Sequence, residues 1–171
     1  MSQLPTQARI VIIGGGIVGC STAYHLTKIG HTDVLLLERK EIGCGTTWAA
    51  AGLVAQLRQN REMTNLAKYA TQLYPALEAE TGLATGYVTT GALGVCQTDD
   101  RRREWLRGAA MAAAFGIEMY EIGLKEAEEM VPGMSTQGLV SVFYLPKDGQ
   151  TNPLETTRSL RWVFSAIFWM I

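Results

Sequence analysis

Residues 10–19 read Ile-Val-Ile-Ile-Gly-Gly-Gly-Ile-Val-Gly, and further on Val34-Leu-Leu-Leu runs straight into Glu38. An apolar run of this length is that of a buried parallel strand, and it opens into Gly14-x-Gly16-x-x-Gly19. In that pattern Gly14 serves the tight turn, Gly16 lets a pyrophosphate come close to the backbone, and Gly19 lets the next helix lie against the strand. The unpaired N–H groups and positive end of a helix starting near Gly16 then hold the phosphates, with Gly15, Ile17 and Val18 completing the cradle. Glu38 falls where a second parallel strand ends, placed to accept hydrogen bonds from the ribose hydroxyls of an adenosine. Three glycines serving only turn and packing is the alternative, and it leaves Glu38 unexplained. The segment reads as a Rossmann-like βαβ dinucleotide-binding unit.

The intervening helix is expected to turn Val18, Thr22, Leu26 and Ile29 to one face, with Ala23 small enough for close approach to the sheet. Gly30 stops it, and His31-Thr-Asp33 makes the connection. The negative charge of Glu38 disfavours a 2′-phosphate, although Arg39 and Lys40 follow it. After the second strand comes Gly43-Cys-Gly45-Thr46-Thr47-Trp48-Ala-Ala-Ala51-Gly52, a run of small and hydroxyl residues. Such a run can lay N–H groups and hydroxyls against phosphate and a large flat ring, which favours FAD over NAD. An ordinary Gly/Thr loop remains open as a reading of that stretch alone.

The blocks Glu38-Arg39-Lys40, Gly45-Thr-Thr-Trp-Ala-Ala-Ala-Gly-Leu53 and Leu145-Pro-Lys-Asp-Gly149-x-x-Asn-Pro153 resemble the flavin domain of the sarcosine and dimethylglycine dehydrogenases. These are members of the D-amino-acid-oxidase-like flavoprotein superfamily. The resemblance runs from about Ile10 to about Leu160 and includes Glu78-Ala-Glu-Thr-Gly82. It implies FAD as cofactor and oxidation of an N-methylated amine by hydride transfer to the flavin. The residues it assigns to the cofactor are Gly14–Gly19, Glu38, Arg39, Gly45, Thr46, Thr47, Ala51, Gly52 and Leu53. The residue after the tryptophan is commonly a flavin-linking histidine in that family, and here it is Ala49. A methyl group has no nucleophile, so the resemblance implies FAD held without a covalent bond. His25 and His31 read as surface or satisfied histidines. The resemblance names no catalytic residue within this chain. Tyr69, Tyr87 and Tyr144 are possible pocket lining, with core packing the simpler reading.

With 15 basic and 16 acidic residues the chain is near neutral, which suggests neither a nucleic-acid nor a polybasic membrane partner. Cys20, Cys44 and Cys96 show no metal spacing and read as buried, reduced thiols of a cytoplasmic protein. No metal site is expected, and the partners implied are a small amine and an electron acceptor. No targeting segment is visible.

The fold class expected is α/β: the N-terminal unit followed by the start of an antiparallel substrate lobe. Residues 6–82 form the N-terminal part of the FAD-binding domain, 83–147 the start of the lobe, and 148–171 a return helix with an anomalous tail. A helix is expected from about Glu62 to Thr81 with a face of Leu66, Ala70, Leu73 and Leu77, interrupted by Pro75. Strands are expected at Tyr87–Thr89, Ala92–Gln97, Ile117–Ile122 and Leu139–Leu145. Asp99 and Asp100 can cap a helix to Phe115, and a short helix spans Leu124–Met130. Arg101-Arg-Arg103 sits beside acids and reads as a solvated face. The tail Arg161-Trp-Val-Phe-Ser-Ala-Ile-Phe-Trp-Met-Ile171 is too short for a membrane span, which needs about 20 residues. Trp162, Phe164, Phe168 and Trp169 would cover all sides of a helix there, so the chain reads as truncated. An inert dinucleotide-binding fragment and an NAD-dependent dehydrogenase stay as alternative functions.

Overall fold

The computed structural model describes residues 5–162 and the backbone of 168–170. The chain divides into two compact units, one of residues 1–53, 72–87 and 151–171, the other of residues 54–71 and 88–150.

The first unit is built on a parallel sheet. Strand β1 (Ile10–Ile13) pairs with β2 (Val34–Glu38) in register Ile10 to Val34 through Ile13 to Leu37. Helix α1 (Ile17–Lys28) makes the crossover between them. The strand that follows later in the chain, β8 (Phe168–Met170), pairs in parallel with β2, so the order is β1-β2-β8. Of the tail aromatics, Trp162 ends a helix and is exposed, and Phe168 and Trp169 lie on a strand rather than a helix; Phe164 lies outside the described residues. Cys20, Ala23 and Tyr24 of α1, Val34 and Leu36 of β2, Leu73 and Leu77, and Leu160 form the core.

The α1 face differs from expectation. Val18 and Ile29 are exposed and Thr22 is solvent-facing, while Cys20, Ala23 and Tyr24 are buried. Ala23 and Gly19 sit where the helix meets the sheet, and a Cβ on Gly19 would lie 2.0 Å from the Gly14 carbonyl oxygen. That close approach fixes the inward face: Leu26 packs against the core as expected and Ile17 joins it, while Val18, Thr22 and Ile29 turn outward.

Helix α2 (Arg61–Thr81) runs unbroken through Pro75, and its last residues place Leu73 and Leu77 in the first unit. The proline removes one N–H donor without ending the helix. Leu66 is exposed; the buried positions are Thr64, Leu73 and Leu77. Helix α5 (Pro153–Trp162) has Asn152 as its cap, Oδ1 accepting from the N–H groups of Leu154 (3.1 Å) and Glu155 (3.3 Å), with Pro153 in the first helical position.

In the second unit β4 (Ala92–Cys96), β6 (Ser141–Leu145) and β5 (Tyr120–Ile122) form an antiparallel sheet in the order β4-β6-β5. Short strands β3 (Leu53–Val54) and β7 (Gly149–Gln150) pair at the unit's entry and exit. The stretch expected as a strand at Tyr87–Thr89 makes only one bridge, from Val88 to Gln150. Residues 117–119 are not strand, because the N–H of Ile117 is spent on the carbonyl of Ala112 at the end of α3 (Asp99–Ala114). Thr98 caps α3, its Oγ1 accepting from the Arg101 N–H at 3.2 Å; Asp99 and Asp100 lie in the first turn instead. Helix α4 (Leu124–Met130) packs Ala127 against Ile122 and Val142.

The arginine run is a solvated face, as expected. Arg101 pairs with Glu104, Arg103 with Asp100, and Arg102 makes a two-pronged contact with Glu121 at 2.7 and 3.0 Å. Cys44 is exposed, whereas Cys20 and Cys96 are buried; all three are free thiols.

Phe143 is fully buried at the centre of β6 and stacks on Trp105 with ring centroids 5.7 Å apart. Phe143→Ala is expected to cost about 3–5 kcal/mol, because it removes the buried ring and leaves a cavity under α3. Urea unfolding measures this, and a loss below about 1 kcal/mol would contradict the packing described.

Candidate nucleotide site

The site begins at the end of β1. Gly14 has φ +108°, a conformation that L side chains rarely adopt, and its N–H donates to the Leu37 carbonyl at 2.8 Å. The chain therefore turns sharply off the sheet while still fastened to β2. Gly16 is the N-cap residue of α1 and offers no side chain to cap it. Helix geometry leaves the N–H groups of residues 16–19 without partners inside the helix. One of them is taken from across the fold: Thr47 Oγ1 accepts from the Ile17 N–H at 3.0 Å. Those of Gly16, Val18 and Gly19 remain the candidates for phosphate oxygens, at the positive end of the helix dipole.

Glu38 closes the other side. Its Oε2 accepts from the Gly15 N–H at 2.7 Å and its Oε1 from the Lys40 N–H at 2.9 Å. The Gly15 and Lys40 amides hold its carboxyl below the usual carboxylate range, with partial burial opposing them. Each carboxylate oxygen has a second lone pair, so two backbone contacts leave acceptor capacity for hydroxyl donors.

Gly15 is more committed than Gly16. Its N–H goes to Glu38, and its carbonyl accepts from the Gly43 N–H at 2.9 Å and the Cys20 thiol at 3.6 Å. A Cβ there would lie 2.6 Å from Ile42 Cδ1, whereas a Cβ on Gly16 would meet only Thr47 Oγ1, at 3.1 Å. Gly16 thus has fewer neighbours than Gly15, with the Thr47 hydroxyl the one atom close to it. Burial pushes the Cys20 thiol up to about 12, so it stays protonated and donates to Gly15.

Of the remaining expected residues, Arg39 lies in the bend after β2, Gly45, Thr46 and Thr47 on the turns of residues 42–49, Ala51 and Gly52 in the irregular stretch after them, and Leu53 at the start of β3. Thr47 is buried; Gly45, Thr46, Ala49, Ala51 and Leu53 are exposed, and Trp48 is 70% exposed. Arg39 lines a surface cleft of about 510 Å³ with Lys40, Glu41 and Cys44, next to Glu38 in the chain. The structure thus brings Gly14–Gly19, Glu38 and Thr47 into one hydrogen-bonded constellation. Gly52 is tied elsewhere, its carbonyl accepting from the Thr151 N–H at 2.9 Å.

Sequence reading placed none of Ile42, Cys20 or Thr151 in the site, and took Cys20 only as a buried thiol. Thr151 lies inside the Gly149-x-x-Asn152-Pro153 motif, which was the available signal. The histidines take no part: His25 Nδ1 lies 2.7 Å from the Ser21 carbonyl oxygen, one turn back on α1. No metal-binding group of His, Cys, Asp and Glu occurs among the described residues.

Residues 9–165 match the sequence profile of the FAD dependent oxidoreductase (DAO) family, and the chain belongs to that family. It is 38% identical to mitochondrial sarcosine dehydrogenase of Mus musculus over 92% of its length, covering 17% of that protein. It is 35% identical to human mitochondrial dimethylglycine dehydrogenase, covering 93% of this chain and 18% of that one. The mitochondrial pyruvate dehydrogenase phosphatase regulatory subunit of Mus musculus is 37% identical over 92% of the chain, again covering 18% of the relative. Among solved structures, L-proline dehydrogenase from P. horikoshii superposes with a TM-score of 0.89 at 27% identity, over 98% of this chain and 44% of that one. The chain therefore spans less than a fifth of the length of these curated relatives.

The lowered Glu38 pKa fixes a pH dependence. Its folded pKa lies below the unfolded value, so its contribution is present in full above the unfolded pKa and is lost as pH falls through the folded one. Wild type should be more stable than Glu38→Gln at pH 7, and the gap should shrink as pH drops below about 4.3. Urea midpoints measured across that range check this, and a constant gap would contradict it.

Proposed function

We propose that the chain is the nucleotide-holding part of an FAD-dependent oxidoreductase that oxidises an N-methylated amine or amino acid of the sarcosine or dimethylglycine class. The observation that supports this most is the joint placement of the glycine turn, the charged Glu38 and the Thr47 hydroxyl around one helix N-terminus. In this reading the N–H groups of Gly16, Val18 and Gly19 receive a pyrophosphate, and Glu38 gives its spare lone pairs to ribose hydroxyls. Arg39, Gly45, Thr46, Thr47, Ala51, Gly52 and Leu53 complete the contacts, with Gly15 and Ile17 shaping the turn. FAD, when bound, supplies the acceptor for a hydride from the amine carbon.

Ala49 offers no nucleophile where the family commonly carries the flavin-linking histidine, so the cofactor is held without a covalent bond. Residues 6–82 belong to the FAD-binding domain, 83–147 begin the substrate lobe, and 148–171 return to the first. The two electrons taken from the amine pass on to a separate acceptor while the oxidised amine is released, and nucleic acid is not a partner. No helix of the described residues is long and apolar enough to cross a membrane. A cytoplasmic location is part of the proposal, although the sarcosine and dimethylglycine dehydrogenases it resembles are mitochondrial by name.

One observation favours a second reading. A relative of nearly equal identity is named as a regulatory subunit rather than a dehydrogenase. A dinucleotide-binding protein without turnover fits the same site.

Three outcomes are expected. Flavin bound to the protein should pass into the supernatant on acid precipitation; colour remaining with the polypeptide would contradict non-covalent binding. Anaerobic sarcosine or dimethylglycine should bleach the flavin band of the full-length protein, whereas flavin that stays oxidised with N-methyl amines would favour the non-catalytic reading. For the ribose contact, Glu38→Ala should weaken FAD about tenfold or more, since a hydrogen bond to a charged group contributes about 1.5–3 kcal/mol. Unchanged affinity by fluorescence titration would place the ribose elsewhere.

A further inference from the structure

We infer that Thr151 is a positioning residue for the flavin-side strap, residues 45–53, and that its hydroxyl sets how tightly the chain holds the part of the dinucleotide beyond the pyrophosphate. The inference rests on the proposal that this site takes FAD.

The strap is pinned at two ends. Near its start, the Gly43 N–H donates to the Gly15 carbonyl at 2.9 Å, and Thr47 Oγ1 accepts from the Ile17 N–H at 3.0 Å. At its far end the Gly52 carbonyl accepts from the Thr151 N–H at 2.9 Å. Gly52 has φ +79°, and a Cβ on it would lie 2.1 Å from the Thr151 carbonyl oxygen. The two backbones therefore pass each other at a distance only glycine allows. Between the pins, residues 48–51 are exposed.

Thr151 is itself anchored through its side chain. Its Oγ1 donates to the Thr85 carbonyl at 2.9 Å and lies 2.6 Å from Thr156 Oγ1. Thr156 is fully buried on α5, and its hydroxyl also reaches the Thr85 carbonyl, at 3.2 Å. The Asn152 N–H donates to that same carbonyl at 3.1 Å. Thr151 is thus locked one residue before the α5 cap, on a buried knot of hydroxyls. A buried network of this kind holds one geometry because every alternative leaves a polar group unpaired.

The two pins serve different parts of an extended dinucleotide. Gly43 and Thr47 act on the phosphate turn directly, whereas Thr151 acts only on the end remote from it. Loosening Thr151 should therefore weaken FAD while sparing ADP, which needs only the turn and Glu38. A general loss of stability would weaken both.

The test compares wild type with Thr151→Val, which keeps the shape but removes the hydroxyl, and Thr151→Ser, which keeps the hydroxyl. FAD and ADP are titrated separately, and hydrogen exchange of residues 49–53 is followed in the ligand-free protein. Thr151→Val should weaken FAD by about fivefold with ADP changed by less than about twofold, the loss expected from one neutral hydrogen bond. It should also speed exchange across the strap, and Thr151→Ser should restore both. Equal weakening of FAD and ADP, no weakening of either, or wild-type affinity for FAD no greater than for ADP would each overturn the inference. Failure of the wild type to bind FAD at all would overturn the cofactor proposal and this inference with it.

Discussion

The Glu38 carboxylate accepting the Gly15 N–H is the contact on which the rest of the site depends. It joins the end of β2 to the turn after β1, and with the Gly14 N–H on the Leu37 carbonyl it holds that turn against the sheet. A turn of consecutive glycines has large conformational freedom to lose. Two hydrogen bonds from the neighbouring strand, one to a charged acceptor, oppose that loss. The helix that follows starts in a fixed direction, so its free N–H groups point to one place. The same carboxylate keeps acceptor capacity beside them. One side chain therefore both fastens the turn and keeps free lone pairs beside the helix start.

The surroundings of the glycines differ accordingly. Sequence spacing gives Gly16 the close approach to a pyrophosphate and Gly15 a place in the same cradle. The structure gives Gly15 the tighter surroundings, with Ile42 and Glu38 against it, and leaves Gly16 open toward the cradle. Gly15 is held by its neighbours, whereas a Cβ on Gly16 would meet Thr47 Oγ1 alone. Gly19 is a matter of packing, because the Gly14 carbonyl lies where its side chain would be.

The βαβ unit was legible in the sequence because its signals are local: an apolar run, a glycine spacing, a helix stop at Gly30 and an acid at the end of the second run. The antiparallel character of the second unit was legible from the resemblance, and β4-β6-β5 bears it out. What was not legible depends on contacts between distant residues. Val18 and Ile29 follow helical spacing yet face solvent, because the approach of Gly19 and Ala23 decides which side of α1 is inward. Thr47 as a cap for α1, and Thr151 as the anchor of Gly52, join residues 30 and 99 positions apart (47 − 17 and 151 − 52), beyond any periodicity. The chain belongs to the FAD dependent oxidoreductase family, and Ala49 stands where the resemblance leads one to expect a flavin-linking histidine.

The central claim is that a dinucleotide seats its phosphates on the first turn of α1. Backbone amide chemical shifts of the ¹⁵N-labelled protein, followed during titration with ADP, test it directly. The account predicts progressive shifts at Gly16, Val18 and Gly19, with accompanying changes at Gly15 and Lys40 as Glu38 adjusts, and no change at Phe143 in the second unit. Shifts confined to other residues, or no shifts at saturating ADP, would contradict it.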